Sequence, residues 1–393
     1  MRRMLCAMLI MTMLLTLTGC GTRAETAVAL FAANVGKGDA LVLRVGDYVC
    51  LIDAGKPWAL GRVCRALAQM GVTDGLDAVF LTHTDDDHVG GLEWLAGGVL
   101  PRELAVGQWY APAMYTGVKA KKHPVAKAAE SRGQSVNWLE RGDVIPLGDT
   151  GATLRVLAPA SLFEDKDDNN SLVMLLECDQ GKILFTGDME LPEEAELLTF
   201  HDDLRCDVLK VANPADNDPT SAAFAMACGA ELAVISTDSA EKPGTPDPGV
   251  VSRLQAAGSQ VVVTQDAGLG ILVTLNGGVA GAEYVGFGAP QAEGLTISAL
   301  DAAEDSIALR NDGSAAADLG YGYLYVEKSD KLFVFPAGTT LAPGATLTVG
   351  ARDAEGGYDL LWDEKKVLRK KKSDVVCLYD GWGRLLDRAE SGM

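Results

Sequence analysis

Two imidazoles and three carboxylates fall within six consecutive residues in Leu81-Thr-His-Thr-Asp-Asp-Asp-His-Val-Gly-Gly-Leu92. An apolar run, Ala78-Val-Phe-Leu81, leads straight into them. A strand that ends this way delivers its side chains to one mouth of a sheet, where His83, Asp85, Asp87 and His88 would converge. Neutral nitrogen and anionic oxygen donors in one place suit a divalent metal ion. The chain has four histidines and two of them flank this cluster, which argues against a merely solvated acidic turn. Adjacent carboxylates repel one another unless a cation stands between them, so metal is expected at Asp85 and Asp87. Asp188, in Leu184-Phe-Thr-Gly-Asp-Met-Glu190, ends another apolar run and is placed to bridge two ions. Asp53, in Leu51-Ile-Asp-Ala-Gly55, is a third strand-end carboxylate. It suits the orientation of a ligand histidine through a hydrogen bond, and equally a role in the turn.

These side chains need strands to carry them. Short β-type runs occupy 27–35, 41–45 and 48–52, parted by Gly-rich turns, and Leu60, Val63, Leu67 and Met70 follow at helical spacing. A buried strand is expected at 78–81, a helix from 90 behind the cluster, a strand at 105–110 and a helix near 118–131. The next half repeats the scheme. Strands are expected at 153–157, 172–177, 183–186, 206–211, 232–236 and 261–264, and helices at 191–200, 222–228 and 250–257. Two successive β-then-α halves predict an α/β fold, a four-layer αββα sandwich. Residues 281–294 are rich in Gly, Ala and Pro and read as a linker. Beyond them, short strands at 297–300, 306–310, 322–326, 332–335, 346–349 and 375–379 are parted by turn signals such as Asn311-Asp-Gly313, which predicts a second, all-β sandwich.

The N-terminus reads as a targeting segment. Arg2 and Arg3 precede an apolar run from Met4 to Leu17, which is short for a membrane span. Leu17-Thr-Gly-Cys20 resembles a bacterial lipobox, which implies a signal peptide at 1–19 and a lipid on Cys20. The expected domains are therefore 20–280 and 295–393, outside the cytoplasm and tethered to the cell membrane through Cys20. Loss of Arg2 and Arg3 would take the formal charge from −20 to −22. Such a surface repels polyanions at long range and argues against a general nucleic-acid-coating role. The basic run Lys365 to Lys372 reads as a solvated loop. Eight cysteines are present without any C-x-x-C, so neither a zinc ribbon nor a dense disulfide framework is legible. Most read as small buried hydrophobes.

Residues 27–278 resemble the metallo-β-lactamase superfamily, in the extracytoplasmic form attached to ComEC-type competence proteins. Ala33-Asn-Val-Gly-Lys-Gly-Asp-Ala40 is similar to that branch's N-V-G-Q-G-D-A, Leu51–Gly55 to its L-I-D-A-G, and 81–92 to its H-x-D-x-D-H-x-G-G. Asn169-Asn-Ser-Leu-Val173, Thr186-Gly-Asp188, Val208-Leu-Lys-Val211 and Val234-Ile-Ser236 continue the match in order. The resemblance implies one divalent ion, Zn or Mn, held by His83, Asp85 and Asp188, and a second held by Asp87, His88 and Asp188. It also implies hydrolysis by activated water, with Asp87 in proton transfer. Asn170 and Lys210 then fall near the substrate, although a sheet-edge lysine fits the Lys210 position equally. The branch usually has G-H-H-G-S after V-L-K-V; here stands Ala212-Asn-Pro-Ala-Asp216. Gly244-Thr-Pro246 stands where it has G-H-P. His123 and His201 lie outside the motifs and read as ordinary surface histidines. The second metal site is therefore degenerate, with Asp216 or Asp218 as a substitute ligand.

The last hundred residues resemble the lamin-tail domain, an immunoglobulin-like sandwich. The cues are Ile307-Ala-Leu-Arg-Asn-Asp-Gly313, Val334-Phe-Pro-Ala-Gly-Thr-Thr-Leu-Ala-Pro-Gly-Ala345 and Asp374-Val-Val-Cys-Leu-Tyr-Asp-Gly-Trp-Gly-Arg384. The resemblance implies an interaction module with a surface partner. Three functions are expected in descending order. The first is a surface-anchored phosphodiesterase or nuclease acting on DNA or another phosphodiester. The second is a catalytically weakened scaffold that binds a cell-surface partner, and the third is a β-lactam hydrolase.

Overall fold

The structure, a computed structural model, describes residues 27–97, 104–113, 123–161, 170–200, 203–212, 219–288 and 293–392. Cys20 and the whole signal region, Asn169, His201, Asp216 and Asp218 lie outside the described residues.

The first region is built on two sheets. One has eight strands: β1 (Val28–Ala33), β2 (Leu41–Val45), β3 (Tyr48–Ile52), β4 (Gly75–Phe80), β5 (Ala105–Pro112) and β6 (Val136–Leu139), closed on the far side of β1 by two later strands. The other has seven: β7 (Val144–Pro146), β8 (Thr153–Ala158), β9 (Val173–Cys178), β10 (Gly181–Phe185), β11 (Val208–Lys210), β12 (Leu232–Ile235) and β13 (Gln260–Val263), in the spatial order β13-β12-β11-β10-β9-β8-β7. The two late strands are β14 (Gly270–Asn276) and β15 (Val279–Val285), and the first sheet runs β15-β14-β1-β2-β3-β4-β5-β6.

Side chains alternate across a strand, and the alternation divides the core. Leu30, Leu43, Ile52 and Phe80 point inward with Leu154, Met174, Phe185 and Val208 of the facing sheet. Phe31, Val42, Leu51 and Val79 point outward beneath helices α1 (Leu60–Gln69), α3 (Leu92–Gly97) and α4 (Pro124–Ser131). On the second sheet, Leu175, Leu184 and Leu209 pack outward with Leu197, Phe224 and Leu254 of α5 (Leu191–Phe200), α6 (Ala222–Cys228) and α7 (Pro248–Ala256). Helix, sheet, sheet, helix is the expected four-layer order. Each fully buried Leu or Phe contributes ~1.5–3 kcal/mol of transfer energy.

Three expectations change. A four-residue helical turn, α2 (Asp86–Val89), lies inside the acidic cluster, ahead of the helix expected from 90. Residues 281–285, expected in the linker, form the second half of β15, which pairs along all of β14. His123 is not a surface histidine. It is buried, accepts a hydrogen bond from Val125 N at its Nδ1 (3.2 Å) to start α4, and meets Trp138 edge-on. Burial lowers its pKa to about 4.

The C-terminal region is all β. One sheet holds β16 (Leu295–Asp301), β17 (Ser306–Asn311), β22 (Thr346–Ala351) and β23 (Leu360–Trp362). The other holds β20 (Lys331–Val334), β19 (Tyr323–Val326), β24 (Val375–Tyr379) and β25 (Leu385–Glu390). Short strands β18 (Ala317–Asp318) and β21 (Thr340–Leu341) pair separately. This sandwich is docked on the outer layer of the first. Tyr323, Tyr325 and Tyr379 share a core with Leu60, Val63 and Leu67. Tyr323 Oη donates to Trp58 O (2.6 Å) and accepts from Gly61 N (3.3 Å), and Tyr379 stacks between Tyr323 and Trp58. A Cβ at Gly61 would fall 2.4 Å from Gly383 N, so the two backbones touch there. Among the described residues, no helix is long and apolar enough to cross a membrane.

Candidate metal centre

The site assembles where strands of the two sheets end on one side. β4 stops at Phe80, but the ladder continues in two further bonds: Leu81 N donates to Tyr110 O and Asp53 N to Phe80 O, both 2.9 Å. Thr82 and His83 are thereby fixed beyond the strand. Asp85, extended at φ −67° and ψ 143°, precedes α2, and His88 N donates back to Asp85 O (2.8 Å). That single turn folds His88 back against His83, with ring centroids 4.1 Å apart.

Asp53 sets the chemistry of both rings. Its backbone is left-handed (φ 57°) and its carboxylate is fully buried. Oδ1 accepts from Thr82 N (2.9 Å), and Oδ2 accepts from Thr82 Oγ1 (2.7 Å) and lies 2.8 Å from His88 Nδ1. A carboxylate can only accept here, so His88 Nδ1 carries its proton and Nε2 is the atom aimed at the centre. The Thr82 hydroxyl spends its one proton on Asp53. At His83 Nδ1 (2.9 Å) it must therefore accept, which gives His83 the same tautomer.

Asp188 arrives from the second sheet. Gly187 bends the chain at φ +51°, where a Cβ would crowd Ser171 and Thr82 at 3.0 Å. Ser171 Oγ accepts from Asp188 N (3.0 Å), and Thr186 Oγ1 donates to Lys210 O (2.6 Å). Asp188 Oδ1 ends 3.2 Å from His88 Nε2. His83, His88 and Asp188 offer three buried ligand atoms that lie within 4.8 Å of one another. Two imidazole nitrogens and a carboxylate gathered around one buried point are a donor set that fits a divalent ion.

The electrostatics agree. Burial by itself would lower the His88 pKa, but Asp188 and Asp53 outweigh it and hold it well above the ordinary value. Burial would raise the Asp188 carboxyl, but His88, His83 and Lys37 hold it well below the carboxylate range. The group wants positive charge at its centre.

The remaining expected residues are distributed otherwise. Asp85 and Asp87 lie outside the three-residue group. Asp87 Oδ2 instead accepts from Lys37 Nζ (3.1 Å), which also stands 3.9 Å from Asp188 Oδ2. The division of ligands implied by the resemblance, one imidazole per ion, differs from this geometry, in which both imidazoles face the same carboxylate. Asn170 is buried beside Ser171. Lys210 is neither a sheet-edge lysine nor open to a substrate. β11 has parallel neighbours on both sides, and the ammonium is 1% exposed, bound to Asp39 Oδ2 (2.8 Å) and Val211 O (2.9 Å). Asp39 and Lys37 are the two residues the sequence reading missed. Both lie in Gly36-Lys-Gly-Asp39, between β1 and β2, and the Gly-flanked lysine was the available signal. Beside the centre a cleft of about 1010 Å³ opens between the two regions, bordered by Lys56, Arg62, Asp86, Glu241, Tyr325 and Glu327.

Comparison with known proteins identifies the families of the two regions. A family model described as the metallo-beta-lactamase superfamily matches residues 33–237, and one described as the lamin tail domain matches residues 288–392. The chain is 28% identical over 214 residues to ComE operon protein 3 of Bacillus subtilis (strain 168), covering 54% of this chain and 26% of that protein. It is 26% identical over 247 residues to competence protein ComA of Neisseria gonorrhoeae, covering 62% of this chain and 32% of that protein. The chain thus spans about a quarter to a third of the length of these relatives. Among solved structures, the metallo-beta-lactamase fold protein YhfI from Bacillus subtilis is similar at a TM-score of 0.44 and 15% identity, over 64% of this chain and 100% of that one.

Proposed function

The chain belongs to the metallo-beta-lactamase superfamily, and from that premise we propose that it is a metal-dependent hydrolase of phosphodiester bonds. The observation that carries the reading is the convergence of His83, His88 and Asp188 on one point, with Asp53 fixing the tautomers behind them. The motif resemblance to the ComEC-type branch, with which the similarity to competence proteins is consistent, is what suggests phosphodiesters, DNA among them, as the substrate class. The superfamily implies divalent metal, with Zn or Mn as the candidates.

When a divalent ion is bound, the chemistry it supplies is stabilisation of charge on a phosphoryl oxygen and a lowered pKa for water. The chain's own residues do the rest. Hydrolysis adds a water oxygen to phosphorus and releases an alcohol, so one proton must leave the water and one must reach the departing oxygen. Asp87, partly exposed at the mouth and hydrogen-bonded by Lys37 Nζ, is the group to take the first. Asp85, at the start of α2, adds negative charge that favours cation entry.

The protein loaded with Mn²⁺ or Zn²⁺ and given bis-nitrophenyl phosphate or single-stranded DNA tests the proposal. Turnover should require metal, and should fall by ~100-fold or more in Asp188→Ala and His88→Ala, since each removes a donor. Less than about a tenth of an ion per chain with no turnover would rule the hydrolase out.

One observation favours a second reading. Ala212-Asn-Pro-Ala-Asp216 has no imidazole where the resembled branch has two. A weakened centre would leave the fold as a scaffold, with the lamin tail domain as the part that binds a cell-surface partner. In either case the proposed location is outside the cytoplasm, lipid-anchored at Cys20, which labelling with radioactive palmitate in wild type and Cys20→Ala would check.

A further inference from the structure

We infer that the Lys37 ammonium takes the place of a second cation, so that the centre binds a single divalent ion. This rests on the metal-centre reading above. The place is defined by Asp87 and Asp188, the carboxylates that face each other across the mouth. Lys37 Nζ lies between them, 3.1 Å from Asp87 Oδ2 and 3.9 Å from Asp188 Oδ2. The imidazoles serve the other oxygen of Asp188: His88 Nε2 meets Oδ1 at 3.2 Å, and His83 is grouped with it there.

The placement is built into the backbone. Gly38 has φ +124°, and a Cβ there would come 2.2 Å from Asp87 O, so the loop lies directly on α2. Gly36 has φ +81°, and a Cβ there would strike the Glu241 carboxylate at 2.4 Å. Glu241 accepts from Lys37 N (3.1 Å) and is tied in turn to Lys56 Nζ. The loop is thus pressed between Asp87 and Glu241, and the one side chain between its two glycines is directed into the centre. Charge repulsion points the same way. Asp85, Asp87 and Asp188 act on the Lys37 ammonium, while Lys210 is committed to Asp39. A second divalent ion would place like charge against that ammonium, and no other imidazole stands among the described residues at the mouth. An ammonium also offers N–H donors to an anionic oxygen at a fixed spot, which a phosphodiester can use.

The experiment is a Mn²⁺ titration of the full chain with Lys37→Gln and Lys37→Arg, read by bound-metal analysis and by electron paramagnetic resonance. Two Mn²⁺ ions ~3.5–4 Å apart would couple magnetically, whereas a lone ion would not. Wild type and Lys37→Arg should take up about one equivalent with an uncoupled spectrum, and Lys37→Gln about two with a coupled one. Circular dichroism checks that each variant folds. Two coupled ions in wild type, or no second ion in folded Lys37→Gln up to millimolar Mn²⁺, would overturn the inference. Wild type that binds no metal at all would instead remove the metal-centre reading beneath it.

Discussion

The two sheets of the metallo-beta-lactamase domain contribute unequally to the centre. The first supplies His83, His88, Asp53, Asp39, Asp87 and Lys37 from three separate strand ends, each held by backbone or side-chain bonds. The described part of the second supplies Asp188 and Lys210. The difference lies in kind as well as number. The first sheet brings an excess of carboxylates, and the second returns a cation to one of them across the interface. One sheet has built a cradle, and the other closes it and balances its charge.

Substitutions on the two sides should separate those roles. The largest effect on stability is expected on the second sheet. Lys210→Met leaves Asp39 buried without its partner, which should cost about 3–5 kcal/mol in urea unfolding. A cost under about 1 kcal/mol would mean that Asp39 has water to turn to and that the cross-sheet pair balances nothing. Next comes the cradle itself. Asp53→Asn keeps the shape but loses the anionic acceptor behind both rings, so Mn²⁺ affinity should fall ~10–100-fold. Unchanged affinity would show that the negative charge behind the rings is dispensable. The smallest effect belongs to the docking seam on the outer layer. Tyr323→Phe removes the bonds to Trp58 O and Gly61 N and should cost about 1 kcal/mol, with metal affinity unmoved. A change in affinity there would mean that the cradle depends on the lamin tail domain for its shape.

Much of this was legible in the sequence, for a physical reason. Apolar runs that end in His or Asp mark strand ends, so 78–88, 51–53 and 184–188 could be placed at one mouth before any coordinates. What stayed hidden depends on partners distant in sequence. Lys37 in a Gly-rich loop looks like a solvated turn until Asp87 and Glu241 close on it. Lys210 looks like an edge residue because strand order is not written locally; β10 and β12 flank β11 only after two crossovers. α2 is a single turn, too short for helical periodicity to register. β15 was lost because most of its residues are not buried, so its composition matches a linker. It pairs only because β14 is beside it. His123 gave no periodic signal, since it buries by capping α4.

The contact between Gly61 and Gly383 has a wider consequence. Where two backbones meet with no side chain between them, neither surface can drift alone: a methyl group gained on one must be answered by a retreat of the other. The aromatic seam around that contact makes the same demand, because a chain severed near residue 288 would bare Trp58 on one fragment and Tyr323 and Tyr379 on the other, each an adhesive face. The two modules are therefore best expressed and engineered as one piece.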